Sequence, residues 1–511
     1  MKIFVPGFGA QIYDETNLTF NANLLIKFRV EQSTCRVELN ALKLSFDHYN
    51  LEMYKLDRVD ESYQNMSKSI PKVVEVRVDE AREKFYRILE IGEHYIIRVV
   101  TLIISLITRS PMSSYNIFQI PYSGPIASKL AGLYLTTYTT LAGEHKFAAV
   151  TQMVPTGARR MVPCFDEPHF KAIYRLNIIH PFGSRVVSNS KEIRDGVPTD
   201  NNEWIRTDFD ETPPMSSFLL ALVVSDFDFV EGYTKRGIRF RIWARKDIIS
   251  LISYTLEAGI RVLEFYEDYY GIEFPLPKQD MVAFPDSEAG GTGNWGVVTF
   301  REKYLLYSPE LYTLQQKMDI TSIIAHELAH QWFGNLVTMR WWSDLWLIEG
   351  VATLMEYLGT DAISNGSFRM ADYFVIKDLS SAFDRDSRST SHPLFFEIQK
   401  AEDVNEAFDP ITYSKGASVL RMIRSVMGEE YFKCGVNIYL NRFKYQNAEH
   451  TDLWDALTEA IPQHLLDKEG KPFNVTKFAK YWTKETGFPV LQACSKLKMN
   501  SKFYLVKTDF S

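Results

Sequence analysis

The residues best suited to chemistry lie in one stretch, TSIIAHELAHQWFG, where His326-Glu327-Leu328-Ala329-His330 sits inside an apolar run of helical period. Histidines four apart project from one face of a helix, the spacing that lets two imidazoles meet a single metal ion. Glu327 stands one residue from His326 and three from His330, so it can reach a metal-bound water without being a ligand. A catalytic zinc takes three protein ligands and keeps its fourth position open for water or substrate. Glu349 is placed to be the third ligand. It lies on the next helical run, SDLWLIEGVATLMEYL, with eighteen residues between it and His330. The spacing therefore predicts one zinc per chain, held by His326, His330 and Glu349.

These side chains need rigid helices to carry them, and the period of the sequence supplies candidates. Apolar residues recur at helical spacing over 249–270, 320–337, 343–358, 414–427 and 452–461. Gly271, Gly359 and Gly428 each follow such a run, where a C-terminal cap is expected. Up to about residue 229 the pattern is strand-like instead. Segments 20–30, 36–44 and 174–179 are rich in β-formers and broken by turn residues, which predicts an antiparallel β domain. Residues 490–510 alternate like strands again. The most apolar stretch, 99–107, is flanked by Arg98 and Arg109. It is less than half of the roughly 20 residues needed to cross a bilayer, so a buried strand is the better reading.

Composition excludes several classes of function. The 511 residues are too many for one ordinary core, and 46% hydrophobic with 24% charged residues describes a folded chain. A formal charge of −7, with Lys and Arg scattered, leaves no basic stripe for nucleic acid. Cys35, Cys164, Cys434 and Cys494 lie far apart without CxxC spacing, so free or buried thiols are expected and the redox compartment stays open. The start, MKIFVP, has no apolar run long enough for a signal peptide. Sequons at Asn17, Asn65, Asn365 and Asn474 hint at an extracellular location, yet chance alone gives roughly three in a chain this long.

The segment HELAHQWFGNLVTMRWWSDLWLIEG resembles the signature of the aminopeptidase N type of zinc aminopeptidase, among the gluzincin metallopeptidases. Three further segments are similar to parts of the same family: VTQMVPTGARRMVPCFDEP at 150–168, AFPDSEAGGTGNWGVVTFRE at 283–302 and DPITYSKGASVLRM at 409–422. The resemblance implies a multidomain α+β fold. An N-terminal antiparallel β-sandwich (1–229) is followed by a thermolysin-like, mostly helical zinc peptidase domain (230–487), then by the first strands of a truncated small β domain (488–511). It implies hydrolysis of N-terminal residues from peptide substrates. Glu327 would be the general base, and Tyr413 would donate its hydroxyl to the tetrahedral oxyanion. Gln152, Gly290, Gly291, Thr292, Gly293 and Asn294 would line the substrate. It also implies a membrane-associated or extracellular protein, with any membrane association made through a segment missing from this chain; a cytoplasmic location is the alternative.

Several positions depart from the family pattern. Where the family's substrate strand reads Gly-Ala-Met-Glu-Asn, with its Glu on the free α-ammonium, this chain has Gly293. Where Gln-Phe-Glu-Pro-Thr is usual, Val154 replaces a second amine-binding Glu, and Gln152 remains. Glu288 is a candidate substitute acid, weighed against a solvated loop residue. Ile348 stands where an Asn usually precedes the metal Glu, which leaves Asp344 as an acceptor for a ligand histidine or as a helix cap. The chain stops at Ser511, where the family continues into a closing helical domain, so a wetter cleft is expected. Residues 100–119 fit no family segment, which points either to a misplaced exon boundary or to a hairpin insertion. These departures keep a second reading open, a catalytically impaired relative that binds peptides or a protein partner.

Overall fold

The computed structural model describes residues 1–6, 8, 18–29, 34–46, 52–56, 73–78, 101–110, 115–128, 130–286, 289–399, 401–494 and 504–507. Glu288, Asn17 and Asn65 lie outside the described residues. An N-terminal β-rich part precedes a helical part, as the change of period predicts. The chain divides into two compact units. The first comprises Met1–Leu256, Leu276–Ser308 and Gln399–Ala401, the second Glu257–Pro275, Pro309–Ile398 and Glu402–Ser511.

In the first unit the longest pairing joins Thr19–Arg29 to Tyr115–Pro125, antiparallel along both strands. Phe20 is buried while Asn21, Asn23, Leu25, Lys27 and Arg29 face out, the period-two alternation of a sheet with one wet face. Residues 101–110, within the stretch that fits no family segment, form a strand paired to both Thr34–Asn40 and Val73–Val78. A four-stranded sheet (Arg185–Ser188, Leu222–Ser225, His145–Gln152, Gly132–Thr139) and a five-stranded sheet share one core. Val150, Val223 and Phe227 from the one side meet Trp243, Val282 and Val297 from the other. Central in the five-stranded sheet is Lys278–Phe284, buried at every residue, with a parallel neighbour on each side. The strand order ends at Gly291–Thr292, which pairs with Val297–Arg301.

The second unit is built on helices. We label Ser253–Tyr270 α1, Leu314–Ala329 α2 and Trp346–Ile363 α3. Helix α2 starts at a capping box, in which the Thr313 hydroxyl accepts from Gln316 N and the Gln316 side chain accepts from Thr313 N. It ends at Ala329 with His330 as C-cap, so the helix expected to reach 337 stops eight residues early. Apolar periodicity does run on, but Gly334 takes φ +121°, which turns the chain back, and Thr338 Oγ1 closes the turn on Gly334 O at 2.6 Å. Gly359 corrects a second expectation. It is no cap: it lies inside α3, where a Cβ would come within 2.7 Å of the Tyr266 hydroxyl of α1. That hydroxyl donates to Ala325 O and Met355 O, fastening α1 to α2 and α3 at once. Gly271 and Gly428 end helices with positive φ, as expected of caps. Among the described residues no helix is long and apolar enough to cross a membrane. The last described strands, Leu491–Cys494 and Tyr504–Lys507, pair antiparallel.

Candidate metal centre

Helices α2 and α3 pack closely enough to bring three donors together. The ligand atoms of His326, His330 and Glu349 all lie within 4.8 Å of one another, and the three side chains are buried. His326 Nε2 and His330 Nε2 each stand 3.3 Å from the same oxygen, Glu349 Oε2. Their other ring nitrogens are already engaged: His326 Nδ1 lies 3.3 Å from Glu356 Oε2, and His330 Nδ1 donates to Phe333 O at 3.1 Å. Both rings are thereby fixed with Nε2 aimed at the cluster, the arrangement that orients metal-ligating histidines. Two imidazole nitrogens and one carboxylate oxygen form a donor set suited to zinc with an open fourth position.

The three carboxylates dominate the electrostatics of the group. Three buried or nearly buried carboxylates, Glu327, Glu349 and Glu356, stand with two imidazoles, and Lys377 Nζ, half exposed, lies 3.5 Å from Glu356 Oε1. Burial opposes protonation of His326, but hydrogen bonds to Glu349 and Glu356 push its imidazole up to about 10. Burial would raise Glu349, yet His330 and His326 hold it below the usual carboxylate range. Glu327 goes the other way: burial and the neighbouring Glu349 and Glu356 push it up against the pull of the two histidines. A cluster with this surplus of negative charge has the donors and the charge to take a divalent cation.

Tyr413 belongs to the same group. Its ring stacks on that of His326 with centroids 6.0 Å apart and planes at 23°. Burial, then the Glu349 and Glu327 carboxylates, push its phenol well up, so the hydroxyl keeps its proton as a donor. It sits on a short π-helix, Ile411–Lys415, that leads into the helix Gly416–Met427.

The remaining candidates lie in the first unit. Gln152 ends the strand His145–Gln152, and its Oε1 accepts from Thr292 Oγ1 at 3.2 Å. Gly290 O accepts from Arg301 N, and Asn294 N donates to Thr292 O, each at 3.0 Å, so residues 290–294 form one tight edge beside Gln152. Gly293 lies within that edge, with Asn294 buried next to it. Asp344 reaches neither ligand histidine and does not cap α3, but it holds the first N–H of another helix, His450–Glu459. Its two carboxylate oxygens take His450 Nδ1 at 2.7 Å and His450 N at 3.1 Å. The part expected of it at a ligand histidine falls to Glu356. Seven residues beyond Glu349, Glu356 shares a face of α3 with it, and that spacing was the available signal.

Residues 9–219 match the Peptidase M1 N-terminal domain and residues 254–482 the Peptidase family M1 domain. The chain belongs to peptidase family M1. Aminopeptidase N of Haemonchus contortus is 42% identical over the whole of this chain and half of its own length. Human aminopeptidase N is 42% identical over 72% of this chain and 38% of its own length. Human endoplasmic reticulum aminopeptidase 1 is 38% identical over 76% and 43% respectively. The chain thus spans about half the length, or less, of these curated relatives.

Proposed function

We propose that this chain is a zinc aminopeptidase, releasing N-terminal residues from peptides, with its zinc on His326, His330 and Glu349. The observation that carries the reading is the convergence of both Nε2 atoms on Glu349 Oε2 at 3.3 Å, each ring held from behind. When bound there, zinc supplies Lewis acidity and lowers the pKa of a coordinated water toward about 7. The protein's own part follows from its side chains. Glu327 is one residue from His326 on the same helix, and its raised pKa suits a carboxylate that takes a proton and passes it on to a leaving amine. The Tyr413 hydroxyl, held protonated, is a donor for developing negative charge on the carbonyl oxygen. One such donor is typically worth about 2.7–4 kcal/mol. Gln152 and residues 290–294 are the proposed substrate edge, and a membrane-associated or extracellular setting belongs to the same reading.

A second reading, a binding protein with little turnover, has its own support. Gly293 and Val154 stand where the resemblance calls for amine-binding glutamates. A charge-assisted hydrogen bond is worth roughly 1.5–3 kcal/mol, so losing both anchors weakens N-terminus recognition by about two to four orders of magnitude. Hydrolysis of short aminoacyl substrates by the zinc-loaded chain decides between the two. Turnover that vanishes in Glu327→Gln, and falls by about a hundredfold or more in Tyr413→Phe with zinc retained, supports the enzyme. One bound zinc with no turnover supports the binding protein.

A further inference from the structure

The turn that carries Tyr413 is held at almost every other residue by a carboxylate. Asp409 Oδ1 accepts from Ile411 N at 2.9 Å and Thr412 N at 3.3 Å. Ser414 Oγ donates to Asp378 Oδ1 at 2.6 Å. Lys415 Nζ lies 2.8 Å from Asp386 Oδ2 and donates to Glu485 O at 3.1 Å. Asp378, Asp386, Ser414 and Lys415 are all buried. Asp378 takes a second donor, the Tyr357 hydroxyl, from helix α3. Asp386 Oδ1 accepts from Ser391 Oγ and Gly487 N.

Both distant carboxylates come from one arm, residues 370–386. Asp378 lies on a π-turn of its own, Val375–Leu379, and Asp386 is the last residue of the helix Ser380–Asp386. π-turns are rare, inserted where a helix must re-aim its side chains, and frequent at functional sites. Here two of them face each other, joined by the Asp378–Ser414 bond. A stable core does not call for a buried carboxylate at this place; apolar residues of similar volume often serve as well or better. A carboxylate fixed by Tyr357 on one oxygen and aimed at Ser414 with the other does one thing apolar packing cannot. It ties Ser414, the residue next to Tyr413, to a fixed acceptor.

We propose that Asp378, acting through Ser414, is a positioning residue for the Tyr413 hydroxyl, with the Asp386–Lys415 pair fixing the next position of the same turn. The proposal rests on the reading of Tyr413 as the oxyanion donor. The test uses the full zinc-loaded chain carrying 3-fluorotyrosine at position 413, in three forms: otherwise unchanged, Ser414→Ala and Asp378→Asn. The unchanged chain is expected to give one sharp ¹⁹F resonance, which both substitutions shift or broaden. In the unlabelled chain each substitution is expected to lower kcat about ten- to a hundredfold, with KM and zinc content unchanged. In a Tyr413→Phe background neither should lower kcat further. A ¹⁹F signal identical in all three forms overturns the proposal, as do losses that add to that of Tyr413→Phe. Ser414→Ala removes a single hydroxyl, so it gives the answer if Asp378→Asn fails to fold. If the unchanged chain turns over nothing, the functional reading falls while the ¹⁹F comparison still decides the positioning.

Discussion

Two clusters of buried ionisable groups, one in each compact unit, differ in how their charge is balanced. In the first unit Asp280 takes Arg241 Nε at 2.6 Å, Lys278 Nζ at 2.8 Å and Trp243 Nε1 at 2.8 Å. Glu192 takes Arg241 Nη1 at 2.9 Å and Arg239 Nη2 at 2.7 Å. Two carboxylates thus face three cations, and Lys278 also donates to Gly296 O. In the second unit Glu327, Glu349 and Glu356 face two imidazoles, with Lys377 at the edge. Both clusters perturb their groups. Burial opposes ionisation of Asp280, but Lys278 and Arg241 hold it below the usual range, while burial lowers Lys278. Perturbation alone therefore does not mark a site. The distinction lies in what is left over: the first cluster has answered its own anions, and the second has a surplus of negative charge with two nitrogens turned toward it.

Breaking the balanced cluster should give the largest effect on stability. Lys278→Met leaves Asp280 with one cation fewer in a fully buried place, and removing one partner of a buried pair costs about 3–5 kcal/mol. Urea unfolding is expected to show that loss, with the zinc content of the folded protein unchanged. A variant that kept its stability but lost zinc would erase the contrast between the clusters.

A histidine outside the metal group sharpens it further. His180 is fully buried, with its ring nitrogens 2.8 Å from Ser184 Oγ and 2.9 Å from Thr207 Oγ1. Burial lowers the pKa of its ring to about 4 against the opposing pull of Asp195, whereas His326 between carboxylates is pushed up to about 10. Because the folded-state pKa of His180 is below the unfolded value, its contribution is present above about pH 6.5. It is lost as pH falls from there toward 4. Stability should drop by up to about 3 kcal/mol across that window. His180→Gln should show a drop smaller by most of that amount when unfolding midpoints at pH 7.5 and 4.5 are compared; equal drops would show that the ring does not titrate with folding.

Much of the metal group was legible because helical geometry is local. A four-residue spacing puts His326 and His330 on one face whatever surrounds them, and Glu349 follows on the next helical run. Other features depend on partners far along the chain. Asp344 meets His450, 106 residues away, so no local pattern could have assigned it. Gly359 looked like a cap because glycines often are; Tyr266 of α1, packed against it, is what keeps it inside a helix. The end of α2 was misplaced because apolar periodicity continues through Val337 while Gly334 turns the chain. The strand Thr19–Arg29 was foreshadowed by its β-forming residues, but its partner, Tyr115–Pro125, was not. Glu356 was readable in principle, at two helical turns from Glu349.

That glutamate gives the next test in order of size. Glu356→Ala removes the carboxylate behind His326 Nδ1 and frees the ring to turn. Such partners are worth about ten- to a hundredfold in metal affinity. Zinc titration against a competing chelator should show a loss of that size with unfolding little changed. If zinc affinity holds while stability falls, Glu356 belongs with Asp280 as a structural acid.

The smallest effect separates the clusters by sign. If the metal group carries surplus negative charge, neutralising one member should help the fold when no cation is bound. Glu327 is the member to choose, because neither ligand histidine has it as a hydrogen-bond partner at the distances that tie them to Glu349 and Glu356. In chelator-treated protein, Glu327→Gln is therefore expected to raise stability by about 1 kcal/mol, within the range of single stabilising substitutions. The matching change in the balanced cluster, Asp280→Asn, should lower stability, since it leaves Lys278 and Arg241 facing a neutral amide. Opposite signs from two buried acid-to-amide substitutions would trace the difference to charge balance rather than to burial. Two losses of equal size would mean that both clusters are held together for structure alone.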